Sequence, residues 1–164
     1  MSDIENDINI DANYIKIKEK AEVFYKTVSE VYCPYFKEKV AFNDKGIKHI
    51  KFKSERVARD RKDQYMRLKN IHLAPLVLKS SYTLQEIQTK KMFIDIDTNT
   101  RHEKMLKEVT YYAFIAILKD GQFDKRVKVI VKQVSGGIKM FWSIIPFWKS
   151  NKELKLHTGD LEND

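Results

Sequence analysis

The sequence predicts an α+β domain in which helices come first and an antiparallel meander follows. Two patterns predict it. In the first part of the chain Ile17, Ala21, Phe24 and Val28 fall at i, i+4, i+7 and i+11, the spacing of a helix with one apolar face. The last third instead holds three runs, 109–118, 123–134 and 138–147, rich in β-branched and aromatic residues. They are separated by Asp120-Gly121 and Gly136-Gly137, dipeptides that favour tight hairpin turns. The chain has 164 residues, the size of one domain. Such a chain buries roughly 70% of its extended surface, enough for a core without disulfide staples.

Taken in order, residues 1–12 read as a loose acidic tail, 13–150 as a single domain and 151–164 as a polar, acidic C-terminal tail. Residues 14–30 form the first helix, and Pro34 ends it or starts a turn. Val40 and Phe42 alternate with polar neighbours as a short strand, closed by Asn43-Asp44-Lys45-Gly46. Residues 47–53 fit two readings: Ile47 and Ile50 match a helical turn, while Ile50 and Phe52 alternate with lysines. Ser54 is placed to cap a basic helix through about Asn70. Pro75 breaks the next apolar run, and residues 82–93 are helix-like or mixed.

Two-residue loops at both turns would set the strand registers. Ser135 then faces Ile138, Lys132 faces Phe141 and Ile130 faces Ser143, while Lys119 faces Gln122, Ile115 faces Arg126 and Tyr111 faces Ile130. One sheet face would carry Tyr111, Arg126, Lys128, Lys132, Lys139, Phe141 and Ser143, basic with interleaved aromatics and no carboxylate. That combination suits phosphates and stacked bases. The other face, with Tyr112, Phe114, Val127, Val129, Val131, Trp142 and Ile144, would be core.

Charge points the same way. The chain carries +8 overall, yet residues 1–11 hold four acids and residues 160–164 three, so 12–159 carry +15. A basic body with acidic ends suits a polyanion; a Lys-rich solvated surface accounts for it equally well. Cys33 is alone, which excludes a disulfide framework or a multi-cysteine zinc site. The acidic N-terminus has no cationic and apolar leader pattern, and no apolar run approaches the ~20 residues of a membrane span. The expectation is a cytoplasmic protein with no membrane partner.

Among candidate chemistry, His49 lies among Lys45, Lys48, Lys51 and Lys53, whose charges favour the neutral ring that can accept a proton. It reads as a general base or acid, or as a histidine with no task. Arg56, Arg59, Arg61 and Arg67 offer forked donors for phosphate oxygens, or a solvated helix face paired with Asp60 and Asp63. The run Asp95-Ile96-Asp97 begins like a calcium loop, but Thr100 and Leu106 stand where glycine and glutamate are required. No histidine spacing suggests a metal, so neither metal nor cofactor is expected. Ser143 lacks a triad partner, Trp142 reads as core, and Tyr111 fits either face.

The segments Tyr32-Cys33-Pro34, Val40-Ala41-Phe42-Asn43 and Gly46-Ile47-Lys48-His49-Ile50 begin a longer signature. Arg61 to Gln64, Arg67-Leu68 and Tyr82-Thr83-Leu84-Gln85-Glu86 continue it, and Val127 to Gln133 with Gly137 to Pro146 close it. In this order they resemble the phage-associated branch of the barnase–EndoU–colicin–RelE-like (BECR) nucleases of mobile elements. The resemblance spans roughly residues 31–149. It implies helices packed on an antiparallel sheet of about four strands. It also implies metal-independent RNA cleavage by 2′-OH attack, leaving a 2′,3′-cyclic phosphate.

Carried over, His49 takes the G-x-x-H position and Arg61 the arginine before the R-L helix, with Lys132-Gln133 and Phe141-Trp142-Ser143 in the paired-strand motifs. Met140 departs from the polar residue, often histidine, expected in K-x-F. The resulting expectation is an endoribonuclease of mobile-element or toxin type. His49, Arg61, Lys132, Lys139 and Ser143 would be catalytic, with Arg56, Arg59, Arg67, Tyr111, Arg126, Lys128, Gln133 and Phe141 binding nucleic acid. Its partners would be RNA, such as tRNA or ribosome-associated mRNA, and an antitoxin or inhibitor protein. The alternatives are an inactive nucleic-acid-binding module, or a toxin–antitoxin interaction component, on the same scaffold.

Overall fold

A long helix, α1 (Asp3–Val28), leads into a short hairpin of β1 (Glu30–Cys33) and β2 (Glu38–Ala41). Helix α2 (Asp44–Lys51), a small ribbon of β3 (Phe52–Ser54) and β4 (Val57–Ala58), and helix α3 (Arg61–Asn70) follow. A 3-10 turn (Ile71–Leu73) and helix α4 (Ala74–Lys79) complete the helical part. The meander is β5 (Glu86–Asp97), β6 (His102–Asp120), β7 (Phe123–Val134) and β8 (Lys139–Pro146). This computed structural model describes residues 3–97, 99–147 and 157–164.

The fold is α+β, with a six-stranded sheet in the order β1-β2-β8-β7-β6-β5 rather than one of about four strands. Its pairings are antiparallel except β2–β8, which run parallel and meet at Ala41 and Met140. The helices pack on one face, where Ala21, Tyr25, Leu68, Val77 and Leu78 bury against Phe114, Val127, Val129, Val131 and Ile144. On the other face Val109, Tyr111, Ala113, Ile130 and Ile145 bury against Leu161. Strand β7 is therefore covered on both sides, which is why Val127 to Val131 is a continuous apolar-and-lysine run rather than a clean alternation.

Four segments differ from the sequence expectation. The expected tail at 1–12 is helical from Asp3. Residues 52–58 form the β3–β4 ribbon, and Asp60, not Ser54, caps the next helix by accepting from the Asp63 N–H at 2.8 Å. The mixed pattern at 82–93 belongs largely to β5, whose side chains alternate between half-buried and exposed. Of the expected tail at 151–164, residues 151–156 lie outside the described residues. Residues 157–164 pack on the sheet, with Leu161 and Asp164 wholly buried.

The registers also differ. Asp120 faces Phe123, so the loop is Gly121-Gln122, and Gly121 supplies the positive φ of 66° that the tight turn needs. Relative to the expected pairing β7 is displaced by two residues, an even slip that keeps every side chain on its face. Tyr111 accordingly faces Lys132. Between β7 and β8 the outcome is different. Ile130 faces Ser143 but Val131 faces Phe141, which leaves Trp142 as the extra residue of a bulge.

The bulge exchanges two aromatics. Phe141 turns to the helix side and stacks on Phe42 at 4.9 Å, while Trp142 turns to the opposite side, 6.1 Å from Tyr111. The expected face therefore loses Phe141 to the core and gains Trp142.

Candidate nucleic-acid site

Helix α2 is held hard against β8. Asn43 caps it by accepting from the Lys45 N–H at 3.2 Å, and the Tyr25 hydroxyl donates to the Asn43 carbonyl at 2.6 Å. A side chain at Gly46 would place its Cβ 2.5 Å from the Phe141 carbonyl oxygen, so only glycine permits this approach. One turn later His49 lies flat on Trp142, with ring centroids 3.9 Å apart. The G-x-x-H spacing thus places a small residue and a histidine on the helix face that meets the bulged strand.

Arg59, just before the Asp60 cap, and Arg67, within α3, reach the same place. Both are buried, and Asp63 lies between them. Its carboxylate accepts from Arg67 Nε at 2.5 Å and from Arg59 Nη1 at 3.4 Å. Arg59 Nε donates to the His49 carbonyl at 2.9 Å, and its Nη2 lies 2.9 Å from His49 Nε2. Since a guanidinium only donates, His49 Nε2 is the acceptor and the ring is neutral. Burial, with Arg59, Arg67 and Lys132 nearby, pushes the His49 pKa down to about 2. Burial also lowers Arg59, to about 10, which leaves it charged at neutral pH.

Arg67 Nη1 donates to Ser143 Oγ at 2.6 Å. Lys132, whose pKa burial lowers, places its ammonium 4.0 Å from the Trp142 centroid and 5.7 Å from that of Tyr111. Lys128 lies nearby, buried and 3.9 Å from Asp164. The structure therefore brings together His49, Arg59, Arg67, Lys128, Lys132, Ser143 and Tyr111 from the expected set. It adds Asp63 and Trp142.

The remaining expected residues lie elsewhere. Arg61 is half-exposed, 3.7 Å from Asp11 and over the Tyr14 ring, so Arg59 takes the place beside His49 instead. Lys139 pairs with Glu38 at 3.1 Å and covers Phe36. Gln133 bonds to Tyr112 and to the Gly137 carbonyl, while Arg126 stacks on Phe147. Arg56 is exposed in the β3–β4 turn, and Phe141 is core.

The site is covered by the chain's own acidic residues. Arg59 Nη2 donates to the Asn163 carbonyl at 3.1 Å, Ser143 Oγ donates to the Asp164 main-chain oxygen at 2.8 Å, and Arg67 Nη1 donates to that same oxygen. Trp142 Nε1 donates to the Glu162 carbonyl at 3.0 Å, and Lys90 pairs with Asp160 at 2.6 Å and Glu162 at 3.0 Å. The fit is incomplete, because Asp164 Oδ2 and His157 Nδ1 are buried with no hydrogen-bond partner among the described residues, and only Asp164 Oδ2 has a cation, Lys128, beside it. The unpaired histidine nitrogen costs roughly 1–3 kcal/mol.

The neutral His49 gives stability a pH dependence of known sign. Its folded pKa lies below its unfolded one, so below about pH 6.5 the unfolded chain takes up a proton that the folded chain refuses. Stability is therefore full above pH 6.5 and falls as pH drops toward the folded value. The expected loss is on the order of 1 kcal/mol per pH unit from this group. Urea midpoints between pH 5 and 7.5 should show a shallower slope for His49→Gln than for the wild-type chain; equal slopes would contradict the assignment.

Comparison with protein-family models, with curated proteins and with solved structures finds no match to this chain. No helix among the described residues is long and apolar enough to cross a membrane.

Proposed function

We propose that this chain is a metal-independent endoribonuclease acting in the cytoplasm, its phosphate site formed by Arg59, Arg67 and Ser143 and closed by residues 157–164. One observation carries the reading. Two buried guanidiniums and a serine hydroxyl converge on main-chain oxygens of Asn163 and Asp164, the donor set that would otherwise take phosphoryl oxygens. The resemblance to BECR nucleases supports His49, Lys132 and Ser143, whereas the arginine it implies is Arg61 and the one proposed here is Arg59.

Once the segment is displaced, an RNA phosphate takes its place on Arg59 and Arg67. That draws Arg59 Nη2 toward the phosphate and uncovers His49 Nε2. His49 then accepts the 2′-OH proton while the 2′ oxygen bonds to phosphorus. The phosphorus–O5′ bond breaks as the 5′ oxygen takes a proton from Lys132, made more acidic by burial, or from water. The guanidiniums and Ser143 stabilise the phosphorane. Trp142 and Tyr111 offer rings for base stacking. The products are a 2′,3′-cyclic phosphate and a 5′-hydroxyl.

A second reading, a binding module without chemistry, is favoured by the capped state of His49 in the closed arrangement, where Arg59 already occupies Nε2. Cleavage separates the two. RNA incubated with the wild-type chain in excess EDTA should acquire 2′,3′-cyclic ends, and His49→Ala should slow this by ~10²-fold or more. RNA bound but left intact by the wild-type chain and by a variant with the segment released would establish the binding module instead.

A further inference from the structure

Strand β5 ends the sheet, and among the described residues no strand pairs with its outer side. The last β6 residue paired with β7 is Val109, opposite Val134, so residues 92–97 and 102–107 project beyond β7 as a two-stranded ribbon. Phe93 is 69% exposed and its cross-strand neighbour Leu106 is 54% exposed. A long edge strand with an exposed phenylalanine at its middle is a template for pairing with another strand. The 157–164 segment hydrogen-bonds to Gln88 and Lys90 on the face of β5 opposite to Phe93.

We propose that β5 is a homodimer interface, pairing antiparallel with β5 of a second copy about a two-fold axis at Phe93. Charge and side-chain matching select both the partner and the register. An axis normal to the sheet must pass through a residue's own position, because paired residues share a face. Centred on Phe93, the pairing sets Phe93 against its own copy, Met92 against Ile94, and Lys91 against Asp95. Centred on Met92 it would set Lys91 against Phe93, and centred on Ile94 it would set Phe93 against Asp95.

The chosen register also continues a pattern already present within the chain. Lys91 lies opposite Glu108 on β6, and Asp95 lies opposite Lys104. Across the joined sheets the row reads Glu108, Lys91, then Asp95 and Lys104 of the second copy, alternating in sign at every step. The two-fold repeats that row on the other side of Phe93. Opposite charges directly across strands stabilise a sheet pairing and like charges oppose it. The result is one continuous twelve-stranded sheet with both sets of helices on the same side.

The test is the mass of the full chain by light scattering after gel filtration, over a wide range of concentration. The wild-type chain should reach dimer mass. Phe93→Lys sets two ammonium groups together at the axis and should weaken dimerisation at least about tenfold. Lys91→Glu and Asp95→Lys should each be monomeric alone, because each sets like charges across the interface. Mixed together they should form a heterodimer, since each supplies the sign that the other lacks, and that recovery cannot come from a folding defect. A wild-type chain monomeric throughout, a dimer indifferent to Phe93→Lys, or single variants that stay monomeric when mixed would each overturn the proposal.

Discussion

Asp63→Ala should destabilise the protein by about 3–5 kcal/mol, the range for breaking a buried ion pair from one side. The carboxylate is the shared counter-ion of two arginines whose side chains are each 1% exposed. Without it, two guanidiniums remain buried with no carboxylate between them. Arg67 keeps Ser143 and Asp164, and Arg59 keeps the carbonyls of His49 and Asn163, but Asp164 alone is left to offset both charges. Such a loss is a large share of the ~5–15 kcal/mol that holds a domain together. Urea unfolding at neutral pH measures it. A loss near that of an exposed pair, below about 1 kcal/mol, would show that the triad is solvated and that the cluster is not the site's foundation.

The second large effect should come from a position outside the chemistry. Leu161 is wholly buried among Val109, Tyr111, Ala113, Ile130 and Ile145, and is the apolar anchor of the 157–164 segment. Leu161→Glu places an unpaired carboxylate in that pocket, which the chain avoids by releasing the segment. Release removes the Asn163 and Asp164 oxygens from Arg59, Arg67 and Ser143, and the acids of Asp160 and Glu162 from Lys90. It also relieves His157 Nδ1, which is buried without a hydrogen-bond partner among the described residues. Affinity for an oligoribonucleotide should rise at least about tenfold, with a steeper loss on adding salt, because more cations become available to phosphates. Trp142 fluorescence should change with it, since its Nε1 loses the Glu162 carbonyl.

How much of this was legible in the sequence differs from element to element. The β6–β8 meander shows because period-two alternation and glycine turns mark it directly. Its faces survived a two-residue error in the first turn because the slip was even. The Phe141–Trp142 exchange did not show, since a bulge changes parity without changing composition. Strand β5 was obscured because an edge strand tolerates lysine on both faces, which blurs the alternation.

At the site, His49 was legible from its cationic surroundings and from G-x-x-H, whose close-packing role belongs to Gly46. Arg59 could have been preferred over Arg61 from one available signal. Arg59, Asp63 and Arg67 fall at i, i+4 and i+8, a charged stripe along one face leading into α3, whereas Arg61 points elsewhere. Charge alone favours an acidic tail folding over the basic face, but the contacts by which residues 157–164 dock were not legible, because their oxygens are mostly main-chain atoms that carry no sequence signature. Only the acids at 160, 162 and 164 and the lone Leu161 among them hint at these contacts.

The central claim is that Arg59, Arg67 and Ser143 form a phosphate site that the chain itself occupies. Its most direct test is an anisotropy titration of a labelled oligoribonucleotide with the wild-type chain, Leu161→Glu, and Leu161→Glu combined with Arg67→Gln. The account predicts weak binding, then strong salt-sensitive binding, then a return toward weak binding when the uncovered guanidinium is removed. Equal affinity for the wild-type chain and Leu161→Glu, or a gain that survives Arg67→Gln unchanged in a folded protein, would contradict it.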